Sequence, residues 1–126
     1  MITVLWVAMG GALGAAGRYL VAVQALRWFG TGFPWGTITV NIAGSLMMGV
    51  LAEYFAHRLQ ASTEIRMFLM TGVLGGFTTF SAFSLDIFVL ADRKEYMASA
   101  LYIIGSISLS VAALLIGLRL ARLIIE

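Results

Sequence analysis

MFLMTGVLGGFTTFSAFSL, residues 67–85, runs without a single charge, yet its second half, GGFTTFSAFS (75–84), holds two adjacent glycines, four hydroxyl side chains and three phenylalanines. A segment this long and apolar is a membrane span, because ~18 helical residues cross ~30 Å of hydrocarbon. The glycines and hydroxyls then need a reason. One reading is that Gly75 and Gly76 interrupt the helix at its centre, freeing main-chain carbonyls as ligands for a hard cation; lipid tolerates such a gap only where protein, water or an ion fills it. The other is that the glycines let a neighbouring helix come close, and spacing alone leans to that one.

The rest of the chain repeats the pattern. Uncharged runs cover residues 1–17, 28–52 and 96–118 as well. Four helices are expected, over about 2–26, 36–56, 66–90 and 96–121, in one all-α membrane domain spanning 1–126. With 126 residues, 61% hydrophobic and 11% charged, and a mean hydropathy of +0.99, a disordered chain and a water-soluble globule are excluded. The first run lacks a basic leader region and continues past Arg18 into YLVAVQAL (19–26), so it reads as a retained helix rather than a signal peptide. Without cysteine there is no disulfide, thiolate metal site or thiol nucleophile. Polar residues gather in RWFGTGFPWG (27–36), HRLQASTEIR (57–66) and ADRKEY (91–96), which join the spans, with Trp28 and Trp35 at headgroup depth.

Basic residues normally set orientation. Arg58, Arg66, Arg119 and Arg122 fall on one side, and Arg27, Arg93 and Lys94 on the other; Arg18, in the half of helix one nearer the second group, makes the sides equal. A chain with no bias inserts both ways round, so the count predicts dual topology and an antiparallel homodimer about an in-plane two-fold axis. The alternative is one fixed orientation set by other factors. Four helices do not readily enclose a wide pore, which favours a route along a subunit interface. In GGALGAAG (10–17), Gly10 and Gly14, and Ala12 and Ala16, repeat at the small-xxx-small spacing of close helix contacts; no G-x-G-x-x-G order or preceding strand supports a dinucleotide site.

Phe77, Phe80 and Phe83 recur every three residues, which places them near one another on one helical face. Such a stripe alone is ordinary packing. Thr78, Thr79, Ser81 and Ser84 interleave with it, so a groove here would offer hydroxyl hydrogens and the positive edges of aromatic rings, both suited to an anion. Asn41 on helix two adds an amide donor, and Tyr102, Ser106 and Ser110 form a second polar line on helix four. Each hydroxyl can instead bond its own helix. Glu53 and His57, four apart, read as a solvated helix end, since one histidine with no further ligand makes a poor metal site. Asp86 reads as an interfacial carboxylate. No acid pair, nucleophile–histidine arrangement or phosphate loop supports catalysis, so no enzyme is expected.

PWGTITVN (34–41), GVLGGFTTFSAFS (72–84) and GALGAAGRY (11–19), with the four-helix length, resemble the bacterial fluoride channels of the Fluc or CrcB family over nearly the whole chain. That resemblance implies an inner-membrane, dual-topology homodimer that exports fluoride passively and selectively, conferring fluoride resistance. It implies a structural sodium at the dimer centre, held by main-chain carbonyls of Gly75 and Thr78 from both copies. Two fluoride routes would flank it, walled by Asn41, Phe80, Ser81, Phe83, Tyr102, Ser106 and Ser110, with Arg18 drawing anions toward the vestibule. Asp86 stands where some relatives carry glutamate, and its role stays open. A small proton-coupled multidrug exporter would share size and topology but needs an acid deep in its cavity, and helix one has no carboxylate. A structural adaptor gives no reason for donors around a helix break.

Overall fold

In a bilayer every main-chain N–H and C=O has to be bonded within the protein, and this chain meets the demand with helix almost throughout. The computed structural model describes residues 1–57 and 61–125. Helix α1 covers Ile2–Phe29 and α2 covers Trp35–His57. The third span, Thr63–Asp92, is assembled from α3 (Thr63–Arg66), a π-helical segment Met67–Leu74, α4 (Gly75–Phe77) and α5 (Phe80–Asp92). Helix α6 covers Tyr96–Ile125. All four spans are long and apolar enough to cross a membrane, and no strand occurs among the described residues. The four-span, all-α architecture with an interrupted third span is therefore present, each span reaching slightly beyond at least one of its expected ends.

The ends close by ordinary chemistry. Helix α1 stops at Gly30, whose φ of 77° is a left-handed conformation that glycine adopts without penalty, and whose N–H donates to the Leu26 carbonyl at 2.9 Å. Ser62 caps α3 by accepting the Ile65 N–H at 3.2 Å. Arg93 donates through Nη1 to the Thr31 carbonyl at 3.2 Å, so the 27–36 loop and the α5–α6 turn share one end of the bundle. At the opposite end, Arg122 Nε donates to Glu53 at 3.1 Å and joins α6 to α2. The two basic groups of the sequence thus do lie at opposite ends, except that Arg58 is outside the described residues.

Glu53 departs from the sequence reading. It is buried, and besides Arg122 it meets His57 Nε2 at 2.8 Å. The reason is non-local: α6 brings a cation from far along the chain, so the carboxylate is paired rather than hydrated.

Glycine sets the spacing between helices. A methyl group on Gly14 would strike the Val73 carbonyl, and one on Gly10 the Phe68 carbonyl. The same holds for Gly49 against Leu114 and Gly117 against Leu46, which lets α2 and α6 lie backbone to backbone. The second small pair in α1 does not take part, since Ala12 and Ala16 are exposed within the chain. Between α2, α5 and α6, Ile38, Phe83, Leu90 and Tyr102 form an apolar cluster, joined by Phe33, Ile42, Ile87 and Ala98.

Candidate functional site: a broken third span and its groove

The helix does not break at the glycines. Gly75 keeps helical angles (φ −62°, ψ −37°), and Gly76 serves close packing: a Cβ there would sit 2.7 Å from the Gly11 carbonyl. The interruption falls at Thr78 (φ −85°, ψ 159°) and Thr79 (φ −153°, ψ 125°), which are extended. Two threonines suit this place because β-branching lowers helix propensity and their hydroxyls offer the backbone other partners.

Following each hydrogen bond through the break shows what it leaves open. In a continuous helix the Thr79 N–H would bond the Gly75 carbonyl; here it donates to Asn41 Oδ1 at 2.8 Å. The Ala82 N–H would bond the Thr78 carbonyl; here it donates to Thr79 Oγ1 at 3.1 Å, capping α5. Asn41 Nδ2 donates in return to the Thr79 carbonyl at 3.0 Å. Arg18 Nε donates to the Gly76 carbonyl at 3.1 Å. Thr78 gives both its N–H and its hydroxyl to the Leu74 carbonyl, at 3.0 and 2.9 Å. The carbonyls of Gly75, Phe77 and Thr78 are left without a donor among the described residues. Open carbonyl oxygens of this kind, those of Gly75 and Thr78 among them, fit a hard cation such as sodium. No cluster of three acidic, histidine or cysteine side chains offers a competing metal site among the described residues.

A groove of about 310 Å³ lies beside the break. Its walls include Asn41, Thr78, Thr79, Phe80, Phe83, Ser106 and Ser110. Helix α2 supplies the amide, the broken span the threonines and rings, and α6 the serines one turn apart. Phe80 is 77% exposed and Phe83 only 5%, with ring centroids 5.6 Å apart. Tyr102 packs 5.1 Å behind Phe83, and Phe33 meets Tyr102 edge-on at 5.4 Å, so the groove's inner ring is braced by two more. The three-phenylalanine stripe is not one face, because the extended threonines reset the helical phase. Phe77 instead reaches the spaces left by Gly17 and Gly44.

The most telling atom is Ser106 Oγ. It is buried and has no hydrogen-bond partner. Buried hydroxyls are almost always bonded, so an unbonded one in the wall of a groove calls for an explanation. Asn41 likewise keeps one amide hydrogen beyond the one given to Thr79. Ser84 follows the commoner pattern, donating to its own helix at the Phe80 carbonyl, 3.0 Å away.

Three residues expected at the site do not line this groove. Tyr102 is fully buried behind Phe83, and its hydroxyl donates to Asp86 Oδ2 at 2.9 Å. Ser81 is exposed beside the groove, 3.3 Å from Thr79 Oγ1. Arg18 lies on the α1 side of the break. Sequence reasoning missed Thr79 as the α5 cap and Phe33 as a brace; the two adjacent threonines carried a signal for the first, but nothing local marked the second.

Residues 5–118 match the family described as CrcB-like protein, Camphor Resistance (CrcB). A protein of Agrobacterium fabrum named fluoride-specific ion channel FluC is 54% identical over 122 residues, covering 97% of this chain and 98% of its own. Proteins of the same name from Rhodospirillum centenum and Nitrobacter winogradskyi are 53% and 49% identical, covering 97% and 96% of this chain and the same shares of their own.

Proposed function

The chain belongs to the CrcB-like family, and from that premise we propose that it is a fluoride-specific channel of the inner membrane, lowering cytoplasmic fluoride by passive exit. The observation that carries this reading is the groove beside the break, where a buried, unbonded serine hydroxyl, an amide and two phenylalanine rings meet. Moving a small anion from water to low dielectric carries an idealised cost of order ~20 kcal/mol, so a route has to replace hydration with donors. Ser106, Ser110 and Asn41 provide strong donors, and the rims of Phe80 and Phe83 weak ones. Weak donors suit throughput, because an ion that binds too firmly does not leave.

A lone chain is an incomplete channel. Gly75, Phe80 and Ser81 are exposed on one bundle, together with carbonyls that no donor satisfies. Lipid against such a surface costs several kcal/mol per unsatisfied group. An inverted second copy covering the break removes that cost, and the even charge distribution supports insertion both ways. In the resulting antiparallel homodimer the Gly75 and Thr78 carbonyls of both copies would hold a structural sodium, and each copy's groove would form one of two fluoride routes. When bound, that ion supplies a positive charge between the routes. Acidic surroundings protonate fluoride to neutral HF, which crosses lipid and dissociates in the less acidic cytoplasm; an exit for the anion empties the trap.

Vesicles loaded with fluoride and reconstituted with the purified chain test this. Electrogenic fluoride efflux, indifferent to a proton gradient, is expected. Proton-driven efflux of organic cations would indicate an exporter, and no flux of either kind a non-transporting protein.

A further inference from the structure

Arg18 is a charge within an apolar span, and no carboxylate pairs with it among the described residues. An unpaired cation at this depth is costly and needs a local reason. Its bond to the Gly76 carbonyl, across 58 positions of sequence, supplies one.

The geometry of α1 explains how the contact arises. Gly11, Ala15 and Arg18 follow at i, i+4 and i+7, one face of the helix. A Cβ on Gly76 would meet Gly11 at its carbonyl and Cα and Ala15 at its nitrogen, so this face is the one against which α4 rests. The closeness that glycine permits brings Arg18 within reach of the last turn before the break. There the Gly76 carbonyl has lost its helical donor, the Phe80 N–H, to the interruption. A guanidinium at the C-terminal end of a helical piece also suits the local dipole.

We propose that Arg18 is a positioning residue for the break: it caps the Gly76 carbonyl and so fixes which carbonyls stay open, rather than serving chiefly to draw anions toward the groove. This rests on the channel reading above. Asn41 from α2 and Arg18 from α1 then grip the interruption from two sides, one through Thr79 and the other through Gly76. Of the carbonyls whose helical donors the break removes, Gly76 is the one quenched by a charged side chain, which leaves those of Gly75, Phe77 and Thr78 open.

Side-chain chemistry separates capping from attraction. Glutamine carries its amide nitrogen at the same bond count from the backbone as arginine Nε, so Arg18→Gln keeps a donor at the capping position and discards the charge. Arg18→Met keeps length and loses both. The test uses the full chain in lipid, with amide hydrogen exchange at residues 78–82 and fluoride efflux measured over a range of fluoride concentrations. In Arg18→Met, exchange should quicken and flux should fall at every concentration, each by roughly ten- to a hundredfold, the factor that a hydrogen bond to a charged group is worth. Arg18→Gln should recover most of both. Unchanged exchange in Arg18→Met, or a flux deficit that high fluoride abolishes and glutamine does not repair, overturns the proposal. If Arg18→Met does not fold, Arg18→Gln and Arg18→Lys decide: glutamine at least equal to lysine supports capping, and lysine alone near wild type refutes it. Exchange changes as expected in a protein without fluoride flux would refute the channel reading and leave the capping role standing.

Discussion

Replacing Asn41 with alanine removes both side-chain bonds to Thr79, at 2.8 and 3.0 Å, and strands the Thr79 N–H, while the Thr79 carbonyl, at the N-cap of α5, keeps its helical bond. A main-chain donor left unbonded out of water costs about 1–3 kcal/mol, so the change costs about 2 kcal/mol at mid-range. The break has one way to recover part of this: the Thr79 N–H can turn back toward the Gly75 carbonyl, restoring a helical bond. That relief closes an oxygen otherwise open to a cation. Stability and conduction should therefore fall together. Unfolding followed by the fluorescence of Trp6, Trp28 and Trp35 in detergent should show Tm lowered by about 8 °C, taking a chain of this size to shift by about 4 °C per kcal/mol. Fluoride efflux should drop at least tenfold, roughly the factor that 1.4 kcal/mol represents. Asn41→Asp should be milder in stability, since it keeps an acceptor for the Thr79 N–H, but equally poor in flux because a carboxylate then faces the anion. A Tm within about 2 °C of wild type with normal efflux in Asn41→Ala would refute the idea that this side chain holds the break open.

Phe80→Ile and Phe83→Ile should each reduce fluoride flux about three- to tenfold, the scale of one aromatic-edge interaction, while dimers persist on size-exclusion chromatography. Gly14→Ala should give little folded protein, because its methyl group meets the Val73 carbonyl; Gly11→Ala, with nothing within 4 Å of its methyl group, should yield and melt like wild type. Two lysines added to the 91–96 turn should bias insertion, and such a chain expressed alone should lose fluoride flux until a copy biased the other way is co-expressed. Full activity of the biased chain alone, measured by vesicle efflux, would contradict dual topology.

Much of the fold was legible because lipid writes it in charge-free runs: four stretches without Asp, Glu, Lys or Arg became four spans. Gly10 and Gly14 announced close packing by their spacing. The break was legible as a neighbourhood but not as a position. Glycine permits an interruption, yet here Gly75 and Gly76 stay helical, and the extended residues are Thr78 and Thr79 because Asn41, far away in sequence, bonds the second of them. No local pattern reports a partner on another helix. The same limit hid the pairing of Glu53 with Arg122 and the grip of Arg18 on Gly76. The phenylalanine stripe misled for a related reason: a period of three describes one face only while the helix is unbroken. The gathering of Asn41, Phe80, Phe83, Ser106 and Ser110 around one groove was legible, since hydroxyls and an amide in apolar helices need a common destination.

The central claim is that the groove beside the broken third span conducts fluoride and rejects chloride. A planar bilayer holding the purified chain, with fluoride on one side and chloride on the other at matched sodium concentration, measures this directly through its reversal potential. The account predicts a potential that tracks the fluoride gradient and is indifferent to chloride. A potential near zero in a conducting membrane, or one that follows chloride, would contradict it.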